Sequence, residues 1–154
     1  MRLTVIGAGP GGYVAALKAA QLGAEVTVIE DTEAGGTCLN RGCIPTKALV
    51  ASAEMLHKAK NLADYGIDFS GEITPNLSKM MERKEKVVST MVKGIKALFK
   101  SWGVNFIEGK GMLLTPEKVE VQKKDGSIEI IETDKIIIAT GSRPAQLPLF
   151  PFDW

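Results

Sequence analysis

A glycine-rich turn between a short apolar run and an alanine-rich segment constrains this chain more than any other feature. Arg2 to Ile6 (RLTVI) is apolar and β-branched and ends at a glycine, which predicts a buried strand. Gly7-Ala8-Gly9-Pro10-Gly11-Gly12 follows. Tyr13 to Leu22 then has high helix propensity until Gly23, a helix stop. Glu25 to Glu30 (EVTVIE) predicts a second strand, so the first stretch of about thirty residues reads as a βαβ unit. Gly7, Gly9 and Gly12 have the G-x-G-x-x-G spacing, and each has a physical task. Gly7 makes the tight turn off the strand. Gly9, next to Pro10, lets a pyrophosphate approach the backbone with no Cβ in the way. Gly12 lets the helix pack close to the sheet. The helix N-terminus offers unbonded N–H groups and a positive dipole end to phosphates. Glu30 ends the second strand, where an acid binds ribose hydroxyls and disfavours a 2′-phosphate. A plain strand–helix turn could use the same glycines. The strand before, the helix after and the acid in place argue for a dinucleotide, with nicotinamide and flavin forms both open.

The rest of the chain continues in alternating α/β style. Asp31 to Cys43 reads as a loop, and a helix from Pro45 to about Asp64 carries Leu49, Ala53, Leu56, Ala59 and Ala63 on one face. A second helix, from Thr74-Pro75 or Ser78 to Trp102, carries a stripe of Val88, Met91, Ile95, Leu98 and Trp102, with Glu82 to Lys86 as a solvated face. Val104–Glu108 and Lys135–Ala139 predict further strands of a parallel sheet. Between them, Lys118 to Gln122 and Ser127 to Glu132 alternate around Lys124-Asp125-Gly126, a hairpin signal. The expected fold is a single α/β domain over residues 1–144, with a small antiparallel layer, roughly Met112 to Glu132, as a crossover. Residues 145–154 are proline-rich and aperiodic and read as a linker.

At 154 residues the chain is about the size of one domain. Nineteen basic residues against 18 acidic ones leave +1, so no strong field points to nucleic acid or an acidic membrane. Aromatic residues at 6% are too sparse for a base-stacking surface. No apolar run approaches the ~20 residues of a membrane span. The chain reads as strand from Arg2, with no secretory leader, which predicts a cytoplasmic protein.

Two cysteines remain, in Gly35-Gly36-Thr37-Cys38-Leu39-Asn40-Arg41-Gly42-Cys43-Ile44-Pro45-Thr46-Lys47. A five-residue offset on a regular helix means about 140° of rotation and about 7.5 Å of rise. A disulfide needs Cα atoms about 4.4–6.8 Å apart, so pairing requires a distorted turn, which Gly42 permits. Cys43 lies just before a helix start, where the dipole favours a thiolate, and Lys47 adds positive charge one turn in. Three bland readings compete: two unrelated core cysteines, a structural disulfide, and a metal site. The first leaves the surrounding glycines unexplained, and the second suits secreted chains. The third wants C-x-x-C spacing or more ligands, and His57 is the one histidine and reads as a surface residue. No metal is expected. A dinucleotide fold followed at once by a redox cysteine pair implies two-electron transfer between a cofactor and a disulfide, a task suited to flavin.

These three stretches, G-A-G-P-G-G, G-G-T-C-L-N-R-G-C-I-P-T-K and I-I-I-A-T-G-S-R-P, together resemble the pyridine nucleotide–disulfide oxidoreductase family. The I-P-T-K-A-L run is more similar to its dihydrolipoamide dehydrogenase branch than to glutathione or mercuric reductases. The resemblance implies a Rossmann-like FAD-binding domain, with pyrophosphate over Gly7, Gly9 and Gly12 and ribose on Glu30. It places Gly35, Gly36, Thr37 and Cys38 along the cofactor and Lys47 near the flavin's reactive nitrogen. Gly109-Lys110-Gly111 would form a turn meeting the adenine through backbone, and Thr140-Gly141-Ser142 would close on the cofactor. By the same resemblance Cys43 is the flavin-side thiol and Cys38 exchanges with a dithiol substrate. The implied partners are dihydrolipoyl groups of 2-oxoacid dehydrogenase or glycine cleavage components, NAD as co-substrate, and a second subunit in a homodimer. The family's NAD-binding fingerprint and its His–Glu pair have no match in these residues. The competing readings are a solitary nucleotide-binding or redox-sensing module without turnover, and the matching part of a glutathione or mercuric reductase-like enzyme.

Overall fold

A computed structural model of the chain describes residues 1–150. In chain order the elements are β1 (Arg2–Ile6), α1 (Pro10–Gln21), β2 (Glu25–Glu30), α2 (Gly36–Arg41), α3 (Cys43–Lys60), a 3-10 turn (Leu62–Tyr65), α4 (Leu77–Ser101), β3 (Asn105–Thr115), β4 (Lys118–Lys123), β5 (Ile128–Glu132) and β6 (Lys135–Ile138). β1 and β2 are apolar on both faces, as a covered parallel strand must be. Leu3, Val5, Val26 and Val28 pack against the helices with Ala16, Val88, Ile95 and Phe99. Ile6 and Ile29 point the other way, onto Val119 and Val121 of β4.

The six strands lie in the order β5-β4-β3-β2-β1-β6. β1 pairs in parallel with β2 and β6, and β2 pairs in parallel with residues 105–108 of β3. From Gly109 onward β3 changes partner and runs antiparallel to β4. This is the Rossmann-like arrangement implied by the sequence. The antiparallel strands cover the parallel sheet as expected, Val119 and Val121 lying on Ile6 and Ile29, and β3 runs continuously from one ladder into the other. The expected turn at Gly109-Lys110-Gly111 is the interior of that strand. A Cβ on Gly109 would stand 2.8 Å from the Gln122 carbonyl oxygen, and one on Gly111 3.0 Å from Ile6 Cγ2. A side chain at Gly109 would obstruct the fold-over of the antiparallel strands, and one at Gly111 would press on Ile6. The Asp125-Gly126 hairpin forms as expected, with the Ser127 N–H donating to Asp125 Oδ1 at 2.9 Å.

The helical segments depart from the sequence reading in four places. The expected loop from Asp31 to Cys43 contains α2, a short helix held by burial of Leu39 rather than by propensity. α3 begins at Cys43, and Pro45 sits in its first turn, where no intrahelical N–H is required. α3 also ends at Lys60, before the 3-10 turn, instead of running to Asp64. α4 starts after Asn76, whose Oδ1 accepts from the Lys79 N–H at 3.0 Å.

The buried stripe of α4 is Val88, Ile95 and Phe99, while Met91, Leu98 and Trp102 stay exposed. The stripe is rotated because Phe99 stacks on Phe106 of β3, with ring centroids 5.5 Å apart. Within the expected solvated face, the Arg83 guanidinium donates to the Ala48 carbonyl at 2.9 Å, and Lys84 is largely covered beside Glu85. Phe99 is 1% exposed, so Phe99→Ala is expected to cost about 3–5 kcal/mol. A urea unfolding midpoint that barely moves would contradict this view of the core. No helix among the described residues is long and apolar enough to cross a membrane. The segment from Pro144 to Phe150 is exposed, and the rest of the expected linker, 151–154, lies outside the described residues.

Candidate functional site

The carboxyl ends of β1, β2 and β6 and the bend in β3 open onto one cleft of about 1130 Å³, the place where an open α/β sheet takes its ligand. Its floor is the glycine turn. Gly7 has φ of 103°, and a Cβ there would collide with the Ala139 carbonyl oxygen. Gly12 lies beneath the turn, where a Cβ would collide with the Gly7 carbonyl oxygen, so its glycine is required by packing. Gly9 differs from both. Its backbone is extended, with φ of −70°, and the nearest atom to an added Cβ is 3.8 Å away. Neither strain nor protein packing demands glycine at 9, so the vacant space belongs to the cleft. α1 starts there with no side-chain cap and no acidic residue in its first turn. The N–H groups of Gly11 and Gly12 are thus outside intrahelical bonding. The site fits the diphosphate of a dinucleotide.

Glu30 is 8% exposed and anchors the cleft's rim. Its Oε2 accepts from the Ala8 N–H at 2.7 Å. Its Oε1 accepts from the Thr32 N–H at 3.0 Å and the Thr32 hydroxyl at 2.7 Å. Burial alone would push this carboxyl's pKa up. The hydrogen bonds from Ala8 and Thr32 more than offset it and hold Glu30 below the ordinary glutamate value. The sequence reading gave Glu30 hydrogen bonds to ribose alone, whereas the structure also makes it a tether for the glycine turn. The Ala8 carbonyl accepts from the Gly35 N–H at 2.8 Å, which ties the same turn to the cysteine segment.

That segment is built around a break. α2 carries Cys38 and ends at Gly42, whose φ and ψ are −130° and −103°, and Cys43 opens α3. The break brings the two cysteine Cα atoms to 4.7 Å, and their sulfurs form a disulfide. A Cβ on Gly42 would press on the Thr37 carbonyl oxygen at 3.2 Å. Asn40 fastens the front of the segment, its Nδ2 donating to the carbonyls of Ala34 at 3.1 Å and Gly36 at 2.9 Å. Gly36 in turn rests against Gly9, where its own Cβ would come within 2.6 Å of Gly9 Cα. The glycine turn and the disulfide are therefore one connected structure.

A family model described as pyridine nucleotide-disulphide oxidoreductase matches residues 1–151. The chain belongs to the pyridine nucleotide-disulphide oxidoreductase family. The dihydrolipoyl dehydrogenase of Bacillus subtilis (strain 168) is 44% identical over 154 residues, 99% of this chain and 33% of the relative. That of Trypanosoma brucei brucei is 45% identical over 153 residues, 98% of this chain and 32% of the relative. The solved structure of LpdA from Mycobacterium tuberculosis superposes with a TM-score of 0.87 at 29% identity, covering 99% of this chain and 34% of that one. The chain spans about a third of the length of the relatives it matches.

Of the residues singled out on sequence, Gly7, Gly9, Pro10, Glu30, Gly36, Thr37, Cys38, Gly111, Thr140, Gly141 and Ser142 all border the cleft. Gly12 and Gly35 support it from behind. Cys43 and Lys47 do not border it, and Lys47 is exposed on the second turn of α3. Gly109 and Lys110, expected at the cleft through their backbone, also border it, while two cations on its wall received no role from the sequence, Arg41 and Arg143. Their signal was present in the motifs, as basic residues beside cysteines and glycines in a turn that faces phosphate. Thr32 was also missed, because nothing in a lone threonine after a strand marks it as the partner of a buried carboxylate.

Proposed function

We propose that the chain is the FAD-binding, redox-disulfide portion of a dihydrolipoyl dehydrogenase. In this reading residues 1–144 form the cofactor unit, and 145–154 lead toward the rest of the enzyme. The observation that carries it is the Cys38–Cys43 bridge, tied through Gly35, Gly36 and Ala8 to a glycine turn with a vacant Cβ position at Gly9. Names of relatives such as the B. subtilis enzyme support the lipoyl assignment.

Gly7, Gly9, Pro10 and Gly12 would hold the diphosphate, Glu30 the ribose, and Gly36, Thr37, Gly111, Thr140, Gly141 and Ser142 the flanks. Bound there, the flavin supplies two-electron chemistry toward the disulfide and onward to NAD. The protein's own step is thiol–disulfide exchange. A thiolate of a dihydrolipoyl group attacks Cys38 Sγ, the bridge breaks, and Cys43 leaves as a thiolate. The substrate's second thiol then attacks the mixed disulfide and releases Cys38, so the substrate leaves oxidised and the bridge reduced. Cys43 suits the thiolate role, because it is the first residue of an 18-residue helix whose dipole stabilises negative charge. Lys47 adds a positive charge further along the same helix. The partners in this reading are lipoyl-bearing 2-oxoacid dehydrogenase or glycine cleavage components, a second subunit in a homodimer, and a cytoplasmic setting.

Titrating the chain with FAD tests the proposal. Saturable quenching of flavin fluorescence is expected, with lipoamide reduction and NADH oxidation both at background for these residues alone. No quenching at any FAD concentration would overturn it.

A further inference from the structure

We propose that Thr32 is a positioning residue for nucleotide recognition, its hydroxyl locking the Glu30 carboxylate in the orientation that presents Oε2 beside the glycine turn. The inference rests on the reading that the cleft takes an adenine dinucleotide. An ionised carboxylate offers about four acceptor directions. Three are filled within the chain: Oε1 by the Thr32 N–H and hydroxyl, and Oε2 by the Ala8 N–H. One direction remains, on Oε2, for a ribose hydroxyl.

The Thr32 hydroxyl is what makes this arrangement one-sided. Without it, Oε1 keeps a single backbone donor, as Oε2 does, and the carboxylate can turn. Thr32 is itself exposed, so packing gives its hydroxyl no other purpose. The bond to Oε1, at 2.7 Å, is of the charge-assisted kind. The charged groups that share the cleft with Glu30 are Asp31 and Glu33 on its own loop, Arg41 on α2, Lys110 on β3 and Arg143 after β6. A side-chain interaction with Asp31 lowers the Glu30 pKa alongside the Ala8 and Thr32 bonds, and it is the Ala8 and Thr32 donors that orient the two oxygens.

The test uses the 154-residue chain with two readouts by NMR. One is the titration of the Glu30 carboxyl carbon without ligand, and the other is ADP affinity from the amide shifts of the glycine turn. Thr32→Val is expected to raise the Glu30 titration midpoint and to weaken ADP binding about five- to tenfold, the scale of one ordinary hydrogen bond, with a small drop in melting temperature and a native fold. Thr32→Ser is expected to restore both, and Thr32→Ala serves if the valine variant unfolds. Parent-like ADP affinity in the hydroxyl-free variant overturns the inference, whether or not the carboxyl titration moves. If the parent chain shows no ADP-dependent shift, the nucleotide reading itself falls and this inference with it.

Discussion

Gly9→Val is expected to abolish FAD binding while leaving the chain folded. An added Cβ at Gly9 has no protein atom nearer than 3.8 Å, and the backbone there is one that any residue adopts. The valine methyls therefore project into the cleft, where the diphosphate must lie against the main chain. The control is Gly12→Val. There the first side-chain atom would collide with the Gly7 carbonyl oxygen beneath the turn, so the fold itself is expected to fail. Circular dichroism and flavin fluorescence separate the two outcomes: native spectrum without binding for Gly9→Val, loss of cooperative melting for Gly12→Val. A Gly9→Val chain that still quenches flavin fluorescence would refute the assignment of the turn to a cofactor.

The second large effect concerns the cysteines. Either Cys38→Ser or Cys43→Ser is expected to reduce dithiol-dependent NAD reduction in the assembled enzyme to background, because one sulfur is unable to cycle between bridge and dithiol. In the chain alone, thiol counting is expected to find no reactive thiol before treatment with a dithiol and two afterwards. The two serine variants should differ. With oxidised flavin bound, the Cys38→Ser protein is expected to show a long-wavelength charge-transfer band from the Cys43 thiolate, and Cys43→Ser to show none. A band that follows Cys38 would reverse the two roles. Full lipoamide-dependent activity in both variants would overturn the redox assignment altogether.

The parts of this molecule that were readable from sequence are those written in neighbouring residues. The β1–turn–α1–β2 unit follows from glycine spacing, β-branched runs and an alanine-rich helix, each a local preference that the final fold agrees with. The β4–β5 hairpin follows from Asp125-Gly126 for the same reason. The cysteine pair was legible as a pair because Gly42 lies between its members. Beside these, four features were decided by contacts between distant segments.

α2 is helical because Leu39 finds the core, although its six residues have little reason to be a helix alone. The buried face of α4 is set by Phe106, which follows in the next strand. β3 changes partner at Gly109 because Val119 and Val121 must cover Ile6 and Ile29. Glu30 becomes a tether because the fold places Ala8, 22 residues earlier, against one of its oxygens, while the neighbouring Thr32 holds the other. Glycine spacing and strand alternation act over a few residues and so leave a mark in the sequence. The choice of which apolar face is buried, and which donor meets a carboxylate, depends on what other segments bring to the same place, and that is settled only when the tertiary structure closes.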